Sequence, residues 1–480
     1  MKKIVLYGAG KRCRGLIRIL RCSDYKVETI LDSDKDKWGK EIEGYKIEPP
    51  EKMKEFSDTY LCITIADYDI IKDIRVKITN ICHYGLEKEI SYNKLLLEIY
   101  ENNIEINRII LEKKFAKKGK KQSILFGCYN GFILGGIEAW TRSICESLIK
   151  RGNENIYIVS GQGDYSVPEQ LKCHMLYVDT YKERFQVDSI KNHIKIILEK
   201  LPCKVITTQP DELMLAAHLV KNSHPDMVEV ISTIRGSNES IYERYLGFRE
   251  CADIYIGVSQ DIREDMIQRG VEPEKIYTMS VPFPCEKVLT RTYTEDNTRP
   301  LRIGYAGRMD GMEKSQKRMD LMLKLMKLIG DKKIHFRMEL AGDGPVREKM
   351  EKFVYDNRLN EKIHFLGRLN RSEISDFWKR QDICINLADY EGRSISIIEA
   401  MGNGAVPVVT ATSGVKEDIK DDINGFIIPL GDYRMMADKI ACLAEHRERL
   451  SEMGRLAHDA VYPKSLMESH LEFWEGILYK

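Results

Sequence analysis

The chain is predicted to be an α/β protein built from several parallel-sheet units, and three observations carry that expectation. Apolar runs end in glycine turns and lead into helices with apolar residues at helical spacing, at residues 2–20, 123–148 and 301–329. Residues 382–410 read as buried strand, glycine turn, short helix, glycine turn and buried strand, the pattern of a parallel sheet covered on both faces. A length of 480 residues exceeds what one core fills, so two or three domains are expected.

Composition narrows the function. Lysine plus arginine (75) balance aspartate plus glutamate (74), which argues against nucleic acid as the principal partner. The twelve cysteines form no C-x-x-C pair and no zinc spacing with histidine, so no structural metal or disulfide framework is expected, and a reducing cytoplasm suits them. Gly8 and Gly10 interrupt the N-terminal apolar run before it could act as a signal core, and no stretch approaches the roughly 20 apolar residues of a membrane span.

In chain order, residues 2–8 form a strand running into Gly8, Ala9 and Gly10, with a helix after it and Asp32 closing a second strand at 27–31. This is the layout of a dinucleotide fold, except that Cys13 stands where the third glycine belongs and Gly15 comes two places late. With a further strand at 60–66, residues 1–111 form a small Rossmann-like unit that either binds a nucleotide or serves as a docking domain. Residues 112–122, EKKFAKKGKKQ, are a basic linker. A solvated linker and a peripheral contact of Lys113 to Lys121 with an anionic membrane surface both fit that charge run.

The second unit starts with a strand at 123–127, and its helix, with Ile137, Trp140, Ile144 and Leu148 at helical spacing, opens after Gly135 and Gly136. Strands follow at 156–160, 205–208, 228–235, 254–258 and 276–281, and Ser259 is placed to cap a helix. In the third unit LRIGYAGRMD (301–310), FRMELAGDGP (336–345) and KIHFLGR (362–368) each read as a strand ending in a glycine turn, and buried strands follow at 382–387 and 406–410. Arg308 lies exposed at the C-terminal end of the first of these, and Lys317 near the start of the next helix.

Gly392 and Ser394 stand where a helix begins, so free backbone N–H groups and the positive end of the helix dipole make a phosphate seat. Glu391 precedes that helix and Glu399 lies eight residues on, roughly 12 Å away at 1.5 Å per residue. A glycosidase holds its carboxylates about 5–9.5 Å apart across one bond. These two instead suit the two ends of one ligand, sugar hydroxyls at Glu391 and ribose hydroxyls at Glu399, with a diphosphate between: a nucleotide-sugar.

Glu391 and Glu399 with seven residues between them, and Gly392, Ser394 and Ala400 in place, resemble the donor-binding signature of retaining GT-B glycosyltransferases of the family-4 type, the group 1 glycosyltransferase domain. The resemblance implies GT-B architecture: two facing Rossmann-like domains at 123–290 and 300–462, a C-terminal helix at 463–480 crossing back to the first of them, and the small N-terminal Rossmann-like domain added in front. It implies that Gly135 and Gly136 face the donor phosphates, that Arg308 and Lys317 stabilise the leaving diphosphate, and that Gly342, Gly344 and Gly367 line the base and ribose. Gly392, Arg393, Ser394 and Ile395 would complete the donor pocket, with Glu391 on the sugar and Glu399 on the ribose. A lengthened loop makes Lys314 a rival for Lys317.

Two departures fall on the acceptor side: Arg235 stands where many members have histidine, and Val281-Pro282-Phe283-Pro284 replaces the usual proline-asparagine-glycine turn. The implied reaction moves a hexosyl group from a UDP- or GDP-sugar to a glycan or lipid-linked acceptor hydroxyl, without metal or cofactor, for cell-surface polysaccharide assembly. A non-catalytic GT-B subunit serving a partner transferase and a nucleotide-sugar epimerase of the same architecture are the alternatives. The terminal helix could equally dock a partner.

Overall fold

The computed structural model describes the 480 residues except 83–85, 113–120, 129–130, 133–135, 162–166, 180–183, 284, 294–295, 314, 333 and 480. Gly135, Lys314 and all of the basic linker but Glu112, Lys121 and Gln122 therefore lie outside the described residues; Lys121 itself is exposed. No described helix is long and apolar enough to cross a membrane.

Three sheets form. The first contains β1 (Lys2–Tyr7), β2 (Tyr25–Leu31), β3 (Glu41–Ile42), β4 (Tyr45–Glu48) and β5 (Tyr60–Ile63) in the order β3-β4-β2-β1-β5, with helices α1 (Lys11–Leu20), α2 (Tyr68–Cys82), α3 (Tyr92–Glu101) and α4 (Ile104–Glu112). β1 pairs in parallel with both β2 and β5, which buries it on both faces and explains its unbroken apolar run, Ile4 to Tyr7.

The second sheet has seven strands: β6 (Ser123–Cys128), β7 (Ile156–Ser160), β8 (Met175–Tyr177), β9 (Cys203–Thr207), β10 (Val228–Ile234), β11 (Ile254–Gly257) and β12 (Ile276–Thr278), in the order β12-β11-β10-β9-β6-β7-β8. Its helices are α5 (Gly136–Lys150), α6 (Val187–Lys200), α7 (Glu212–Ser223), α8 (Glu239–Leu246) and α9 (Gln260–Gln268). β12 stops at Thr278, three residues short of the expected strand. Met279 still bonds to the carbonyl of Gly257, but the chain then leaves the sheet and the Phe283 N–H reaches the Ser465 carbonyl.

The third sheet holds β13 (Leu301–Ala306), β14 (Phe336–Ala341), β15 (Ile363–Gly367), β16 (Ile383–Asn386), β17 (Val406–Thr410) and β18 (Phe426–Ile428), ordered β15-β14-β13-β16-β17-β18. Around it run α10 (Met319–Asp331), α11 (Arg347–Asp356), α12 (Arg371–Arg380), α13 (Ile395–Gly402), α14 (Val415–Asp418), α15 (Tyr433–Glu445) and α16 (Glu448–Val461), and α17 (Met467–Leu478) follows as the last helix of the chain. Its core joins Ile303, Leu325, Met338, Ile385 and Val408 to Ile440 and Leu450 of the covering helices.

The chain divides into two compact units. The first comprises Met1–Thr233, Asn238–Ile256 and Arg269–Ile276, and the second Ile234–Ser237, Gly257–Gln268 and Tyr277–Lys480. Within the first unit the N-terminal sheet is tied to the second sheet by α3 and its neighbours. The Asn93 amide donates to the Arg244 carbonyl at 3.1 Å, the Tyr68 N–H to Ser240 Oγ at 2.9 Å, and the buried Tyr100 hydroxyl to the Phe185 carbonyl. His218 Nε2 meets Glu101 at 2.9 Å.

In the second unit α17 buries His470 against Trp474, ring edge to face, with centroids 6.5 Å apart. Burial, helped by the Arg235 charge, pushes the His470 imidazole down to about 3 from its ordinary 6.5. The unfolded chain therefore binds a proton that the folded one refuses between those values, so stability falls as pH drops below 6.5. His470 alone should remove about 2 kcal/mol between pH 7 and pH 5. Urea unfolding at both pH values should show that His470→Gln loses this part of the pH dependence; an unchanged dependence would mean that the imidazole is solvated.

Candidate functional site

The site is built at the carboxyl ends of β13, β14 and β16, where ligands of open parallel sheets collect. β16 delivers residues 387–394 to this edge, and α13 starts behind them with Ser394 as its N-cap. The Ser394 hydroxyl does not cap the helix: it lies 3.3 Å from the Asn386 amide and 3.2 Å from Ser396 Oγ. The N–H groups of the first turn, beginning at Ile395, receive no cap from that side chain, which leaves the positive end of the helix for an anion.

Glu391 and Lys317 form a buried ion pair, each only 8% exposed, and a network fixes it. Gln316 donates its amide to the Tyr390 carbonyl at 3.1 Å and to Glu391 Oε2 at 3.3 Å, and accepts from Arg308 Nη2 at 2.9 Å. Arg308 is otherwise open to solvent and lies 3.2 Å from Asp310. Arg318 sits in left-handed backbone, φ +47°, and its guanidinium spans Asp320 at 3.0 Å and Asp389 at 2.9 Å. Burial alone would raise the Asp320 carboxyl, but Arg318 holds it below its ordinary value. The clamp keeps the Lys317 turn and the Glu391 loop in register. Chemically, the network sets two cations beside a helix N-terminus and a carboxylate, a set that can grip a diphosphate and a hydroxyl together.

The glycines bring main chain together. Gly342 has φ +137°, and a Cβ there would stand 1.9 Å from the Gly307 oxygen; its N–H donates to the Gly367 carbonyl at 2.7 Å. A Cβ at Gly344 would stand 2.2 Å from the Met309 oxygen, and one at Gly392 would stand 2.3 Å from the Arg235 oxygen. The Ser237 hydroxyl donates to the Glu391 carbonyl, so residues 235–237 press against the loop that opens α13.

Of the residues singled out in the sequence, the structure brings Arg308, Lys317, Glu391, Gly392 and Arg235 to one edge, with Gly342, Gly344 and Gly367 at the neighbouring strand ends. Glu399 is half-buried within α13. Arg393 is engaged elsewhere: its guanidinium binds Asp418 at 2.6 Å and Glu417 at 3.2 Å, fastening the loop to α14. Gly136 is the exposed first residue of α5 in the other unit. Gln316, Arg318 and Asp389 were missed. The adjacency of Gln316 and Arg318 to Lys317, and the place of Asp389 two residues before Glu391, were the available signals.

Residues 294–459 match the family model described as glycosyl transferases group 1. This chain carries a group 1 glycosyltransferase domain. Residues 1–90 match a second model, C2185-like, N-terminal, in agreement with an added domain in front. Among curated relatives, the poly(ribitol-phosphate) alpha-N-acetylglucosaminyltransferase of Staphylococcus aureus is 29% identical over 161 residues, 33% of this chain and 32% of that protein. The lipopolysaccharide 1,6-galactosyltransferase of Escherichia coli is 26% identical over 246 residues, 50% of this chain and 64% of that protein. The chain spans about a third of the length of the first curated relatives it matches.

The structure resembles the Anabaena protein Alr3699/HepE in its complex with UDP, at TM-score 0.60 and 15% identity, covering 75% of this chain and all of that one. That likeness shows the GT-B fold. Around the group 1 glycosyltransferase domain the chain is thus a GT-B protein with a small α/β domain in front.

Proposed function

We propose that this protein is a retaining glycosyltransferase that moves a sugar from a nucleotide-sugar to an acceptor hydroxyl in cell-surface glycan assembly. The observation that carries the reading is the Arg308–Gln316–Glu391–Lys317 network beside the uncapped start of α13. In this reading the diphosphate lies on the α13 N-terminus, and Arg308 and Lys317 take up the charge that develops as the anomeric C–O bond breaks. The acceptor oxygen forms the new bond on the same face, and its proton passes to a departing phosphate oxygen. Glu391, released in part from Lys317 by the diphosphate, accepts a hydroxyl of the transferred sugar, and Glu399 accepts from the ribose. No step calls on a metal.

The UDP bound by the Anabaena protein supports a UDP-sugar as donor, and the names of the two curated relatives support a glycan or glycopolymer acceptor. Arg235, whose main chain touches Gly392, is the residue from which acceptor selection would act.

The test is thermal stabilisation by a panel of nucleoside diphosphates and nucleotide-sugars. At about 100 times its dissociation constant the true donor nucleotide should add roughly 2.7 kcal/mol. The shift should vanish in Arg308→Ala. No shift with any nucleotide would overturn the proposal.

A further inference from the structure

The N-terminal domain carries a cavity of about 320 Å³ that the transfer reaction does not use. It opens between the carboxyl ends of β1 and β5, where the order β2-β1-β5 reverses the direction of sheet growth. That reversal is the place where doubly wound sheets hold ligands. Gly8, Asp32, Ile65, Ile70 and Ile74 line it.

Asp32 is 7% exposed, and its carboxylate accepts from Ala9 N–H at 2.7 Å, Asp34 N–H at 2.8 Å and Lys37 Nζ at 3.0 Å. A carboxylate offers about four acceptor positions, so one is left for a ligand hydroxyl. Burial works to raise this carboxyl, but the two N–H groups and the ammonium hold it below its ordinary value, so it only accepts. The three isoleucines offer an apolar wall for a flat ring. Two more acids, Asp34 and Asp73, against the single lysine Lys77 make the lining unsuited to a phosphate.

We infer that this cavity binds a nucleoside, with a ribose hydroxyl on Asp32 and the base against Ile65, Ile70 and Ile74. Its volume, at the low end of the roughly 300–1,000 Å³ of ligand pockets, is enough for one nucleoside. The Ala9 N–H that would meet a pyrophosphate is already bonded to Asp32.

The experiment is calorimetric titration of the full chain, as wild type and as Arg308→Ala, with adenosine, uridine, guanosine, their 5′-monophosphates and NAD. One nucleoside should bind at one equivalent to both proteins, its monophosphate no more tightly, and NAD at least tenfold more weakly. Ile70→Arg, at a position 47% exposed and therefore tolerant, should weaken that binding at least tenfold while the nucleoside diphosphate shift persists. Asp73→Arg, also exposed, should do the same. Absence of saturable binding by all three nucleosides, or binding indifferent to both cavity variants, overturns the inference. Binding lost only in Arg308→Ala assigns the nucleoside to the donor pocket and likewise overturns it.

Discussion

Replacing Lys317 by methionine should destabilise the protein by about 3–5 kcal/mol, because it strands the Glu391 carboxylate in a buried site. Turnover should fall by about 10²-fold or more, the usual loss when one fixed donor to a developing charge is removed. The two effects separate in a second variant. Lys317→Met with Glu391→Gln removes both charges, and a buried pair replaced by neutral groups of similar size is close to neutral in stability. Urea unfolding should then show most of the lost stability restored while turnover stays down. A single variant as stable as wild type would mean that the pair is hydrated in solution, and recovery of turnover in the double variant would remove Lys317 and Glu391 from the chemistry.

Gly392→Ala should sharply lower nucleotide affinity. The added Cβ would meet the Arg235 carbonyl carbon at 2.5 Å and its oxygen at 2.3 Å, and both are main chain with little room to yield. The Glu391–Gly392 loop must then back away from residues 235–237, tilting the start of α13. Overpacking of this kind costs about 1–3 kcal/mol, and a 1 Å displacement of a binding group can cost about 10²-fold in rate. Gly476→Ala on α17 is the control: nothing lies within 4 Å of its Cβ, and helix propensity predicts a gain of about 0.5–1 kcal/mol. Nucleoside diphosphate titration of both variants checks the pair; equal affinities would place the donor away from this loop.

Much of the fold was legible because parallel strands buried on both faces leave continuous apolar runs. The strands at 156–160 and 406–410 match residue for residue, and 382–387 needed only trimming to Ile383–Asn386. The site was legible as residue types but not as partnerships. Lys317 and Glu391 are 74 positions apart, so nothing local in the sequence states that they neutralise one another. Arg393 was expected in the donor pocket, yet Glu417 and Asp418 take its charge, a pairing set by where α14 packs. The left-handed turn at Arg318 was invisible for a different reason: such a backbone ordinarily signals itself by glycine or asparagine. Here ion pairs to Asp320 and Asp389 hold an arginine there instead.

The stitching of α3 to the second sheet bears on how this chain can be cut and recombined. Severing it in the basic linker would leave the Phe185 carbonyl without the Tyr100 hydroxyl, His218 without Glu101, and the groove beside Gly247 without Asn93. The front domain is therefore a graft that has taken. A chain deprived of it would need new partners for the surface it now covers.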